Sequence, residues 1–189
     1  MVKASKFAVP PTAIRTRRAY FDCKFGQLHV RTAFPATGGF DEQVTLFCLH
    51  PLDASSRLFG RFLPELADVR SVYAPDLPGC GESDPSATRS IADDATAISD
   101  MADDLRLRQI DLLGVHYGAE VAMAIAAARP QLVRRLVLLG AAAGERMRGA
   151  PHRHLVIDIA EYGDDPFGSA PQRLAKQIHP FLATAPSTA

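Results

Sequence analysis

Apolar residues are arranged along the chain in short continuous runs that are separated by longer segments with helical spacing. Four of these runs are rich in β-branched or aromatic side chains. Continuous runs of this length are typical of parallel strands that are covered on both faces. The pattern predicts strands at approximately 44–49, 70–74, 110–114 and 134–140.

The segments between the runs predict helices. In residues 90–107, Ser90 and Asp93 form an N-terminal capping box, apolar residues fall on one face, and the acidic residues are predicted to face solvent. Residues 55–67 have apolar side chains at similar spacing, and residues 119–131 form a segment of small residues that ends near a proline. Strands that alternate with helices predict the α/β class, with a mostly parallel sheet in a three-layer α/β/α sandwich.

Composition limits the partners that this fold would have. With 189 residues, of which 47% are hydrophobic, the chain is long enough for one sizeable core. Its 21 basic and 21 acidic residues balance, so no uniform electrostatic field attracts nucleic acid or an anionic membrane, and small neutral or polar ligands are the expected partners.

The three cysteines are widely spaced, so neither a disulfide framework nor a metal or cofactor site is predicted. No run of about 18 apolar residues occurs, and a reducing cytoplasm is the expected location.

Ligands in such a sheet bind beyond the carboxyl ends of the strands. The candidate residues therefore follow three of the predicted strands, at 50–53, 76–83 and 114–118. The last of these segments carries His116 between Gly114 and Gly118, at a sharp strand-to-helix turn. Because such a turn crowds the backbone, the residues two before and two after its apex must be small, and the apex itself needs a φ above zero.

Three segments make the chain similar to a known family. They are D-L-P-G-x-G-x-S-D at 76–84, G-x-H-x-G at 114–118 and R-P-Q-L-V-R-R-L-V-L-L-G-A-A at 129–142. In this order they resemble proteins of the α/β-hydrolase fold superfamily, over roughly residues 19–142. The resemblance implies a hydrolase site with its nucleophile at the apex of the elbow.

The chain is predicted to have three parts. Residues 1–18 are predicted to be a tail or arm, and residues 19–142 a hydrolase-like core that opens with a hairpin around Gly26. Residues 143–189 form a shortened C-terminal segment with a reduced cap. The final strand of the family and its histidine loop are expected to be absent from this segment.

The apex residue departs from the family pattern. The resemblance implies a serine, aspartate or cysteine at this position, and the chain has His116. The positive end of the following helix disfavours an imidazolium, so a neutral ring is expected that can act as a base or a nucleophile. It could activate water or form a labile acyl-imidazole, but it cannot form the ester intermediate of the serine mechanism. The alternative, which we favour, is that His116 contacts a ligand or is merely tolerated in a degenerate site.

The loop after the first parallel strand is also altered. The resemblance implies His-Gly at this point, whereas the chain has His50 followed by Pro51, which has no N–H to donate. The backbone N–H groups of Leu52 and Tyr117 are then the candidate donors to an oxyanion. His50 is the third residue of this predicted substrate- and oxyanion-binding set. Its expected role is to stabilise the turn.

Residues 154–178 fit two arrangements. In the first they form a seventh strand, an acidic turn and a helix, and Asp164 or Asp165 matches the acid position of the family, within reach of His116. In the second they begin a cap, with residues 155–162 in a helix. We favour the first arrangement.

Three classes of function remain open. The chain could be an enzyme that acts on an ester, a lactone or a similar small substrate through His116. It could be a non-catalytic small-molecule binder that keeps the pocket, or an incomplete subunit that forms a homo-oligomer through an exposed sheet edge. We predict a protein of hydrolase ancestry, of ester or lactone type, with a degenerate catalytic site.

Overall fold

The fold is described from a computed structural model, for residues 14, 16–36, 43–140 and 152–183. Its strands are β1 (Arg17–Cys23), β2 (Gly26–Ala33), β3 (Leu46–Leu49), β4 (Val72–Pro75), β5 (Ile110–Val115), β6 (Val133–Leu139) and β7 (Arg153–Ile157). Its α-helices are α1 (Leu63–Leu66), α2 (Ile91–Asp104), α3 (Tyr117–Ala128), α4 (Pro166–Ser169) and α5 (Pro171–Ala183). Short 3₁₀ helices cover Ser56–Phe59 and Ile159–Tyr162.

The strands form one sheet in the order β1-β2-β4-β3-β5-β6-β7. β1 and β2 form an antiparallel hairpin that closes at Gly26, and β2 runs antiparallel to β4. All neighbouring pairs from β4 to β7 are parallel. These pairings confirm the mostly parallel sheet, and the predicted strand boundaries agree with the observed ones within two residues.

Helices cover both faces of the sheet, as the three-layer prediction requires. Successive side chains of a strand point to opposite faces, so Phe47 of β3 packs in the core beneath α2 and α3, and Cys48 in the core beneath α1 and α5. α2 begins as predicted, where the Ser90 hydroxyl accepts the N–H of Asp93 at 3.1 Å. The sheet therefore lies between two apolar layers. The loops that follow the parallel strands lie at the edge formed by the carboxyl ends of those strands.

The helix predicted over residues 55–67 is not continuous. A 3₁₀ turn ends at Phe59, and α1 begins at Leu63 with Pro64 in its first turn. Proline has no N–H, and its ring clashes with the carbonyl four residues earlier, so a single helix cannot run through this position. Phe59 and Phe62 nevertheless lie in the core.

The C-terminal segment adopts the seventh-strand arrangement. β7 runs parallel to β6, with Ile157 opposite Leu139. The alternative of a cap helix over 155–162 is wrong, because residues up to Ile157 pair in the sheet and only a single 3₁₀ turn follows. Phe167 of α4 then packs edge to face on Phe59, with 5.0 Å between the ring centroids. The segment after β7 is thus joined to the core.

Some of the predicted boundaries concern residues outside the described ranges. The reduced cap falls on 141–151 and most of the N-terminal tail on 1–13, while β1 already begins at Arg17, within the predicted tail. In the described sheet β7 pairs with β6 alone, and Val156 is 37% exposed. Pairing with a second chain through this edge stays a prediction.

Membrane-spanning helices and metal-binding clusters are both absent from the described ranges. Within these ranges no helix is both long enough and apolar enough to cross a bilayer. The same residues include no group of three or more His, Cys, Asp or Glu side chains that could hold a metal ion. The three cysteines are free thiols, two of them buried.

Candidate functional site

The elbow between β5 and α3 consists of a single residue. His116 has φ 49° and ψ −109°, which are the angles of the first central position of a type II′ turn, a position that normally holds glycine. For a residue with a Cβ this conformation costs about 1 to 3 kcal/mol. Its N–H donates to the carbonyl of Leu139 at 2.9 Å, and its own carbonyl accepts the N–H of Ala119 at 3.0 Å. The prediction of a positive φ at the apex is confirmed.

The two glycines of the elbow are required by contact between backbones. A Cβ on Gly114 would lie 2.4 Å from the carbonyl oxygen of Gly118, and a Cβ on Gly118 would lie 2.2 Å from the carbonyl oxygen of Leu49. Both distances are far shorter than any real contact of a Cβ atom. The expectation that both positions must be small is confirmed, and the second contact shows that the elbow abuts the end of β3.

The His116 side chain is exposed at the carboxyl edge of the sheet. Its ring lies against the end of β6, because a Cβ on Gly140 would meet the Nδ1 atom of His116 at 2.7 Å. No hydrogen bond joins either ring nitrogen to another of the described residues. Among the residues that the structure describes, both nitrogens of the imidazole are therefore left available to a ligand.

The two predicted oxyanion donors lie on neighbouring loops. Tyr117 is the first residue of α3, so its N–H has no acceptor within the helix. Leu52 is exposed in a turn closed by the bond from the N–H of Ala54 to the carbonyl of Pro51, at 3.1 Å. The thiol of Cys80 donates to the Leu52 carbonyl at 3.6 Å. The use of these N–H groups by an oxyanion stays a prediction.

His50 supports this region from within the fold. Its ring is fully buried, its Nδ1 atom lies 2.7 Å from the carbonyl oxygen of Pro51, and its Nε2 atom accepts the N–H of Leu77 at 2.9 Å. Burial lowers the pKa of His50, which favours the neutral ring that this pattern needs. The side chain stabilises the turn and has no nitrogen left for a ligand.

Asp76 connects the loop after β4 to its neighbours. Its carboxylate accepts the N–H of Ser56 at 2.6 Å, the N–H of Glu82 at 3.0 Å and the Nδ1–H of His29 at 2.9 Å. Burial alone would raise the pKa of Asp76, but these hydrogen bonds outweigh it and hold the pKa below its usual value. Asp76 is a structural residue of the D-L-P-G-x-G segment.

The predicted acids follow β7 but are not joined to the elbow. Asp165 caps α4, where its Oδ1 atom accepts the N–H of Gly168 at 2.9 Å, and it lines an open groove of about 380 Å³ with Arg57. Asp164 is exposed. Within the described residues, no hydrogen bond or ion pair joins either carboxylate to His116. Their role as a catalytic acid stays a prediction.

One residue near the elbow was not identified from the sequence. Asp94 of α2 was expected to face solvent, but it is 2% exposed and accepts the hydroxyl of Tyr117 at 2.8 Å. The signal was present in the helical spacing, because Asp94 lies three residues after Ile91 and four before Ile98, on the apolar face of α2. The assignment of every acidic residue in this helix to the solvated face is therefore wrong.

Comparisons with known proteins agree with this geometry. The chain is 41% identical over 85 residues to 2-hydroxymuconate semialdehyde hydrolase of Pseudomonas sp. (strain CF600), and the match covers 42% of this chain and 29% of that protein. It is similar to the solved structure of haloalkane dehalogenase DbeA from Bradyrhizobium elkani (26% identity, TM-score 0.58, 66% of this chain and 41% of that one). It is also similar to carboxylesterase CesB from Bacillus subtilis (25% identity, TM-score 0.59, 68% of this chain and 44% of that one).

The family profile of the α/β hydrolase fold matches residues 44–167. The matched residues include the loop after β3, the D-L-P-G-x-G segment and the elbow, and they make up more than half of the chain. The chain spans less than half the length of each of the relatives named above. By its sequence, its sheet and its elbow, this chain belongs to the α/β hydrolase fold family.

Proposed function

We propose that the chain binds a small ligand with an ester or lactone carbonyl at the elbow, and that it hydrolyses this ligand only slowly. The observation that carries the proposal is the exposed imidazole of His116, which has no hydrogen-bond partner among the described residues and occupies a strained apex. Strained backbone of this kind is found mainly at functional sites. The ligand class is supported by the carboxylesterase among the similar structures.

The chemistry available to His116 explains why turnover is expected to be slow. A neutral imidazole can activate water as a base, or attack the carbonyl carbon to give a labile acyl-imidazole. Leu52 and Tyr117 would supply N–H groups to the developing oxyanion, whereas Pro51 has none to give. No carboxylate orients the His116 ring in the described residues, and an unoriented base is a weak catalyst.

A second candidate function is ligand binding without turnover. The same observations favour it, because the candidate N–H donors and the exposed ring are present, while no base–acid pair is formed among the described residues. The two candidates share one binding site and differ only in the rate of the chemical step. A measurement of that rate therefore separates them.

We expect the wild-type chain to hydrolyse a short-chain nitrophenyl ester only weakly, since the loss of one oxyanion donor alone costs about 10² to 10³ in rate. The His116→Ala variant is expected to fall to the rate of buffer. The His116→Ser variant should gain little, because a serine without its base is not a triad and triad members act as a unit. Steady-state rates of the three proteins check these expectations.

The matched control is His154→Ala, which removes a half-buried imidazole from β7 and should keep the wild-type rate. Fast wild-type turnover that is lost in His116→Ala would contradict the degenerate site and establish catalysis by histidine. Equal rates at the level of buffer in all the proteins would leave ligand binding as the function of the elbow.

A further inference from the structure

The first residue of α3 is tied to α2 by a partly buried hydrogen bond between side chains. The Tyr117 hydroxyl donates to the Oδ2 atom of Asp94 at 2.8 Å, and Asp94 lies four residues after Ser90, which caps α2. Tyr117 directly follows the strained apex at His116. The bond therefore connects the elbow to a helix that is fixed independently, by its own cap and by its packing on the sheet.

The surroundings of the Asp94 carboxyl are energetically unfavourable for a polar group. Its side chain is almost fully buried, and its second oxygen, Oδ1, has no hydrogen-bond partner in the part of the chain that the structure describes. Burial raises the pKa of the Asp94 carboxyl and also that of the Tyr117 hydroxyl. A buried and partly unsatisfied carboxyl costs free energy, so its presence needs an explanation.

The strain at the apex provides that explanation. A positive φ at a residue with a Cβ persists only where the surrounding structure fixes it. Backbone bonds hold His116 on the strand side, through Leu139, and on the helix side, through the N–H groups of Ala119 and Glu120 at 3.0 and 3.3 Å. The bond between Tyr117 and Asp94 is a side-chain tether on the residue that directly follows this apex.

We propose that Asp94 is a positioning residue that acts through Tyr117 to hold the His116 apex and to aim the Tyr117 N–H at the ligand carbonyl. Asp94 does not touch the ligand in this arrangement. Its effect on the rate rests on the proposed function. Its effect on the geometry of the elbow does not, because the tether is present in the protein without a ligand.

The first test is amide hydrogen exchange, measured by NMR on the whole chain. Tyr117→Phe keeps the ring and removes the hydroxyl, and Asp94→Leu removes the acceptor. Each is expected to accelerate exchange of the Ala119 and Glu120 amides about tenfold, as the loss of one side-chain hydrogen bond would. Asp94→Asn retains an oxygen acceptor and should exchange as the wild type does.

Two controls separate the tether from a general loss of stability. The Asp104→Asn variant changes an exposed acid at the end of α2 and should leave all these amides unchanged. The amides of Leu112 and Leu113 in β5 report global opening, and they should not accelerate as the elbow amides do. The double variant Asp94→Leu/Tyr117→Phe is expected to equal either single variant, because both remove the same bond.

The second test is the rate of ester hydrolysis that depends on His116. Tyr117→Phe should lower kcat several-fold with KM unchanged, and Asp94→Asn should restore kcat where Asp94→Leu does not. Unchanged exchange at Ala119 and Glu120 in Tyr117→Phe would overturn the proposal, as would an Asp94→Asn variant as impaired as Asp94→Leu. If no rate depends on His116, the proposed hydrolysis fails while the exchange measurements still decide the role of Asp94.

Discussion

Replacement of Asp111 by alanine is expected to lower the free energy of unfolding by about 3 to 5 kcal/mol, which is the usual cost of removing one partner from a buried ion pair. Asp111 is fully buried in β5. Its carboxylate accepts hydrogen bonds from Arg70 at 3.3 Å and from Arg134 at 2.9 and 2.5 Å. Arg70 is also fully buried, so the variant leaves a guanidinium without its counter-ion in the core. Urea unfolding followed by circular dichroism measures the effect.

The consequences extend to the C-terminal helix. Arg134 also donates to the carbonyl of Leu182 at 2.8 Å, in the last turn of α5. Asp111 therefore positions an arginine whose second hydrogen bond fixes the end of α5. The matched control is Asp103→Ala, which breaks the exposed pair between Asp103 and Arg129 and should cost less than about 1 kcal/mol. Equal losses of stability in the Asp111 and Asp103 variants would contradict the account of the buried cluster.

Replacement of Gly118 by alanine is expected to destabilise the protein by about 3 kcal/mol or more, at the upper end of overpacking effects. The added Cβ would lie 2.2 Å from the carbonyl oxygen and 2.6 Å from the carbonyl carbon of Leu49. Both are backbone atoms of a strand in the middle of the sheet, so no side-chain rotation relieves the overlap. β3 and α3 must separate, and the elbow opens.

The Gly60→Ala variant is the control for this substitution. Gly60 has φ −53° and ψ −38°, which suit alanine, and the nearest atom to its new Cβ is the Arg57 carbonyl oxygen at 3.3 Å. Its free energy of unfolding should stay within about 1 kcal/mol of the wild type. A Gly118→Ala variant as stable as Gly60→Ala would show that β3 and the elbow are not in the contact described above.

The parts of the fold that depend on local pattern could be predicted from the sequence. Buried parallel strands need continuous apolar runs, and the elbow needs small residues at positions 114 and 118, so both are visible in the order of residues. Apolar spacing predicts one helix over 55–67, but Pro64 interrupts it, and the spacing alone does not report this break. The order of the strands depends on contacts between distant segments, which periodicity does not report.

The candidate site was less predictable, for a physical reason. The position of His116 follows from the elbow pattern, but the role of a carboxylate depends on which donors surround it in three dimensions. The Asp165 carboxylate accepts the N–H of Gly168, and the Asp94 carboxylate accepts the hydroxyl of a tyrosine that is distant in sequence. Both are acidic residues beside apolar ones in the sequence, and only the packed structure distinguishes a cap from a tether.

The central claim is that the elbow presents a free imidazole, and its most direct test is carbethoxylation by diethyl pyrocarbonate, mapped by peptide mass spectrometry. The reagent acylates accessible neutral imidazoles, and the chain has six histidines. We predict the fastest modification at His116 and the slowest at His29 and His50, which are 1% and 0% exposed. Modification of His116 no faster than that of the buried His50 would contradict the claim.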